Sequence, residues 1–124
     1  MKRLSLILLS IFMITWFWSS CTSDTLVPAS GPTGPVSYAN DVQPVFDNQG
    51  CNKSGCHFTG MVSPDLTIGK SFNSLFANHL VDTLNPAQSV LYKEVVSGGN
   101  MAVYCTPTQA EIILAWIQQG AKNN

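Results

Sequence analysis

Two cysteines in close succession, with a histidine directly after the second, constrain this chain more than any other feature. The stretch reads Cys51-Asn52-Lys53-Ser54-Gly55-Cys56-His57, with four residues between the cysteines and none between Cys56 and His57. The chain must turn sharply inside this segment if both sulfurs are to face one partner. Ser54-Gly55 supplies the turn, because glycine accepts positive φ at no steric cost.

A histidine fused to the second cysteine of a close pair is the arrangement by which a polypeptide captures haem covalently. The two sulfurs add to the two vinyl groups as thioethers, and the imidazole becomes the proximal ligand of the iron. The commoner spacing has two residues between the cysteines, so the four found here imply a local bulge. Other uses of the pair stay open: a short-loop disulfide, two free thiols, or half of a zinc site. Zinc wants four ligands, typically from a second closely spaced pair. The chain offers only Cys21, His79 and Cys105, each alone.

The N-terminus carries an address. Met1-Lys2-Arg3 is basic, and Leu4 to Trp18 is an apolar run broken only by Ser5, Ser10 and Thr15. This pattern predicts a secretory signal over residues 1–20. The apolar run is shorter than the ~20 residues that span a bilayer. Ser19-Ser20-Cys21 resembles the end of a bacterial lipoprotein signal, in which the cysteine is lipidated and becomes the new N-terminus. Thr22 after it leans by the same resemblance toward the outer membrane. Residues 21–36, rich in Ser, Thr, Pro and Gly, read as a flexible tether of about 20 Å reach. Export and covalent haem agree on one compartment, which also permits disulfides.

Beyond residue 20 the chain has four lysines and no arginine against seven carboxylates, a formal charge of −3. Without a basic patch, nucleic acid is not an expected partner. Residues 37–124 form one small domain. A domain of that size is marginal on its own apolar core, and a buried macrocycle would add apolar area.

Hydrophobic periodicity predicts helices throughout. Tyr38, Val42, Val45 and Phe46 share one helical face, with Asn40 or Asp41 as cap and Pro44 in the first turn. That helix ends near Gly50 and leads into the cysteine motif. Segments 71–80 and 89–96 carry shorter apolar patterns. Thr108-Gln109-Ala110-Glu111 reads as a capping box before the stripe Ile112, Ile113, Trp116 and Ile117, with Gly120 as the stop. No alternating stretch argues for a sheet, so the fold class is all-α.

These residues together resemble the small single-haem cytochrome c domains of exported bacterial proteins. The parallels are Val42-Gln43-Pro44-Val45-Phe46 before the haem motif, then Pro64-Asp65-Leu66-Thr67, then Ser89-Val90-Leu91-Tyr92. A methionine loop and a final Trp116-Ile117-Gln118-Gln119-Gly120-Ala121 helix complete the pattern. The match runs from about Tyr38 to the C-terminus and implies a class I cytochrome c fold, about four helices around one covalent haem c. By this resemblance the distal methionine lies in the loop before the last helix, which is Met101, preceded by Gly98-Gly99-Asn100. The family often places prolines after that methionine, where this chain has Ala102-Val103. His79 is the alternative distal ligand. Met61 stands only four residues beyond His57, too few to round a macrocycle easily at ~3.5 Å per residue.

The expected function is one-electron transfer, not catalysis. The expected partners are a redox donor or acceptor protein and the membrane, reached through a lipid on Cys21. The expected location is the periplasmic side of the outer membrane. Two other functions fit some of the residues. One is a non-redox secreted lipoprotein module with Cys51 and Cys56 in disulfides, which Cys105 could complete. The other is a haem enzyme or sensor with an open distal site.

Overall fold

The computed structural model describes residues 31–124. The expected signal, Cys21 and most of the tether lie outside the described residues. Within them the chain is helical and contains no strand, as the periodicity predicts. Four α-helices carry the fold: α1 (Gln43–Asn48), α2 (Ser71–Ala77), α3 (Val90–Val95) and α4 (Pro107–Gln118). None of the described helices is long and apolar enough to cross a membrane.

The entry to α1 differs from the expected cap. A five-residue π-helical turn, Tyr38–Val42, precedes it, and Ser37 rather than Asn40 or Asp41 is the N-cap. The Ser37 hydroxyl accepts from the Asn40 N–H at 3.2 Å, while the Asp41 carboxylate accepts from the Ser37 N–H at 2.7 Å. Asp41 thus closes the cap from inside the turn. Pro44 follows in the first turn of α1, where its missing N–H matters least.

The last helix also starts earlier than expected. Its capping box is Thr106 with Gln109, and Pro107 occupies the first helical turn. Thr108 and Glu111 have the same spacing, but proline pre-sets φ for the first helical position. The register two residues upstream therefore wins. At the other end Gly120 takes φ +91°, and Ala121 N–H donates to Trp116 C=O at 3.0 Å. This is a Schellman closure.

The expected apolar faces are the core. Tyr38, Val42, Val45 and Phe46 meet Ile113, Trp116 and Ile117, with Leu66, Leu75 and Leu91 filling between them. Ile112 is only half-buried at the edge. Each fully buried large aliphatic side chain contributes about 1.5–3 kcal/mol. The first and last helical segments touch directly through Tyr38 and Trp116, and Phe72 sets its ring edge-on to Tyr38 at 5.2 Å.

The packed chain begins before residue 37. Val36 is buried in the core, its N–H donates to Gln119 Oε1 at 2.9 Å, and Gln119 Nε2 donates to Gly34 C=O at 3.2 Å. The last residues assigned to the tether by composition are therefore docked on α4. Glycine and proline content described their backbone but not this long-range contact.

A buried polar chain crosses the core. Tyr38 donates to Ser71 Oγ at 2.7 Å, and Ser71 donates in turn to Gln43 Oε1. Gln43 Nε2 donates to Asp47 and to the Leu66 carbonyl. Every member is satisfied, which makes such a network rigid rather than costly. It joins α1, α2 and the segment that follows the cysteine motif.

Candidate functional site

The cysteine motif is launched by the end of α1. Gly50 takes φ +72°, Gly50 N–H donates to Asp47 C=O, and Cys51 N–H donates to Phe46 C=O at 2.9 Å. This second Schellman closure fixes Cys51 against the core. Two turns then follow, with Lys53 N–H on Gly50 C=O and Cys56 N–H on Lys53 C=O. Gly55 takes φ +88°, the turn expected from the sequence. His57 N–H returns to Cys51 C=O at 2.9 Å and closes the bulge. The four intervening residues loop outward, and the two ends of the motif are brought together.

The imidazole of His57 is oriented by the backbone that follows it. Its Nδ1 lies 3.1 Å from Pro64 C=O and 3.2 Å from Val62 C=O. Carbonyls only accept, so Nδ1 carries the proton in the neutral ring. The Nε2 lone pair is left as the available ligand, and no described residue hydrogen-bonds it. Leu66 N–H donates to His57 C=O at 2.8 Å and holds the segment in place.

One cavity of about 590 Å³ gathers the expected site residues. Its wall includes Cys51, Cys56, His57 and Met101, set among Val45, Phe46, Leu66, Leu80, Leu91 and Val95. This lies in the size range of cofactor and ligand pockets, ~300–1,000 Å³, and has their mainly apolar lining. Cys51 is half-buried and Cys56 exposed, so one sulfur lies deep in the wall and the other at the rim.

Met101 reaches the cavity from the loop after α3. Met101 N–H donates to Glu94 C=O at 2.8 Å, and Gly99 N–H donates to Val96 C=O at 2.9 Å. One glycine before Met101 is required by the backbone packing itself. A Cβ on Gly99 would stand 2.2 Å from Lys93 O and 2.3 Å from Glu94 O. Gly99 is needed because the loop folds back onto the end of α3.

The other candidate ligands are placed elsewhere. His79 follows α2 with φ +54°, in the position that closes a third Schellman motif, with Leu80 N–H on Leu75 C=O. It is exposed and outside the cavity wall. Met61 is also exposed and outside it.

Cys105 joins the cavity wall beside Cys51, a placement its isolation in the sequence did not reveal. Burial and the neighbouring Cys51 push its thiol up to about 11. Burial likewise raises the Cys51 thiol. Cys51, Cys56 and Cys105 are all free. Among the described residues no group of three or more His, Cys, Asp or Glu side chains is placed to hold a bare metal ion.

The donor set instead suits haem: two thiols on one cavity wall, an imidazole with Nε2 available and a thioether in the same apolar space. The Val62 and Pro64 carbonyls and Glu94 were missed in the sequence. A backbone carbonyl carries no residue signature, and Glu94 lies in an otherwise ordinary amphipathic segment.

Compared with protein-family models, the chain matches none. No curated protein matches it either. No solved structure matches it.

Proposed function

We propose that this protein is a one-electron carrier of the class I cytochrome c type. In this reading Cys51 and Cys56 hold haem c as thioethers, His57 is the proximal ligand and Met101 the distal one. The observation that carries the reading is the single apolar cavity that collects all four side chains. When bound, haem supplies an iron that takes up and releases one electron.

The chain's own residues orient and tune. The Pro64 and Val62 carbonyls hold the Nδ1 proton of His57, fixing the tautomer and raising the basicity of Nε2. Met101 contributes a thioether, and His/Met ligation raises the reduction potential above that of two histidines. The apolar lining lowers the local dielectric, which strengthens charge interactions beside it. If His57 and Met101 both held the iron, no coordination position would be left for a substrate. Carriage of one electron to or from a redox protein then follows, with no bond chemistry.

The reading extends to the cell. A signal over residues 1–20 and a lipid on Cys21 would place the domain outside the cytoplasm, tethered at the periplasmic side of the outer membrane. Nucleic acid has no part in it.

The test is direct. The chain is expressed with haem-maturation machinery, extracted with acid-acetone and examined in pyridine and dithionite. A c-type band that survives extraction, and that shifts when Cys51 or Cys56 is replaced by alanine, is the expected result. Absence of bound haem sinks the proposal. Met101→Ala should abolish the weak long-wavelength charge-transfer band of His/Met haem. An unchanged band would show that another group is the distal ligand.

A further inference from the structure

Glu94 grips the Met101 loop twice. Its backbone carbonyl accepts from Met101 N–H at 2.8 Å. Its carboxylate Oε2 accepts from both the backbone N–H and the side-chain Nδ2 of Asn100, at 3.1 and 2.7 Å. Hydrogen bonds to an ionised acceptor are roughly twice as strong as neutral ones. The loop's other anchors are backbone bonds, Gly99 N–H on Val96 C=O and Ala102 N–H on Gly99 C=O, because Gly98 and Gly99 bring it back to α3 without side chains of their own.

Glu94 is half-buried and is the only carboxylate in the cavity wall, which contains no lysine or arginine. Among the described residues the ion pair joins Lys70 to Asp65, neither of which lines the cavity, and it leaves Glu94 out. A negative charge without a cationic partner in an apolar cavity favours the more positive of two occupants.

Resting on the electron-carrier reading, we infer that Glu94 is the positioning residue of the iron site. It holds Met101 at the distal position through Asn100, and its charge favours the ferric over the ferrous state. The carboxylate does not touch the iron in this assignment; it acts through the loop and through the field in the cavity.

Glu94→Gln and Glu94→Ala separate the two effects. The amide oxygen of glutamine still accepts from Asn100, but carries no charge. In Glu94→Gln the Met101 charge-transfer band should persist and the reduction potential should rise. In Glu94→Ala the band should weaken, and amide exchange at Asn100 and Met101 should speed up about tenfold or more in the chain without haem. Exchange elsewhere in α3 should stay as it is. Asn100→Ala should reproduce part of the loosening with the charge retained, and so leave the potential closer to the parent.

The inference is overturned if Glu94→Gln leaves the potential unchanged, or if Glu94→Ala leaves both the band and the exchange rates unchanged. Failure of the carrier reading looks different: the parent chain itself takes up no covalent haem, or lacks the Met101 band. Purely structural damage would lower stability in both variants without moving the potential of Glu94→Gln.

Discussion

The Nδ1 atom of His57 stands 3.1 Å from the carbonyl oxygen of Pro64. That contact orients the imidazole, because an acceptor on Nδ1 decides which nitrogen keeps its lone pair. The relationship makes a prediction that does not depend on any bound group. In the neutral ring of the haem-free chain, His57 should carry its proton on Nδ1. Nitrogen-15 chemical shifts of the imidazole check this directly. A dominant Nε2–H form would contradict the arrangement.

A second prediction concerns alkaline pH. Burial pushes Tyr38 from its ordinary value of 10.0 up to about 12. Folding favours the neutral phenol, so this contribution to stability is complete below pH 10 and is lost as pH rises from about 10 to 12. Its size is about 3 kcal/mol, an upper figure given the neighbouring groups. Urea denaturation across that range should show the fall. Tyr38→Phe should remove this part of the pH dependence and cost about 1 kcal/mol at neutral pH, because Ser71 loses its donor.

A third prediction concerns Gly99. A methyl group there would collide with rigid backbone at Lys93 and Glu94. Gly99→Ala should cost about 1–3 kcal/mol through overpacking and should loosen the loop that carries Met101. The midpoint of urea unfolding measures the first effect, and amide exchange at Met101 the second. Gly34→Ala, with open space around the added Cβ, serves as the control.

The legible parts of the sequence were those that depend on near neighbours. The face Tyr38, Val42, Val45 and Phe46 is core because helical periodicity is local, and the same holds for Ile113, Trp116 and Ile117. The turn at Gly55 was readable because glycine is the residue that tolerates its φ. Caps were harder: Thr106 and Thr108 both head a suitable box, and only the proline between them decides the register. At α1 the cap moved to Ser37, because Asp41 could reach back to its N–H across a π-helical turn.

Long-range partners were not readable at all. The Tyr38–Ser71–Gln43 chain joins residues far apart in sequence, each of an ordinary type. The docking of Val36 on Gln119 is of the same kind. In the candidate site, Met101 was placed with the cysteine motif by resemblance, and the cavity brings them together. His79 was the alternative ligand in sequence, and its left-handed backbone ends α2, outside the cavity wall. Cys105 and Glu94 entered the cavity wall only through the fold.

The hydrogen bond from His57 N–H to Cys51 C=O has one more consequence. It clasps the bulge at its base, while Lys53, Ser54 and Gly55 lie exposed beyond it. Residues inserted into the outer part of such a loop lengthen a segment whose two ends are already pinned together by that bond. The separation of the two cysteines along the chain is thereby uncoupled from their separation in space. Spacer length becomes a quantity that sequence drift can alter while the two sulfurs stay where they are.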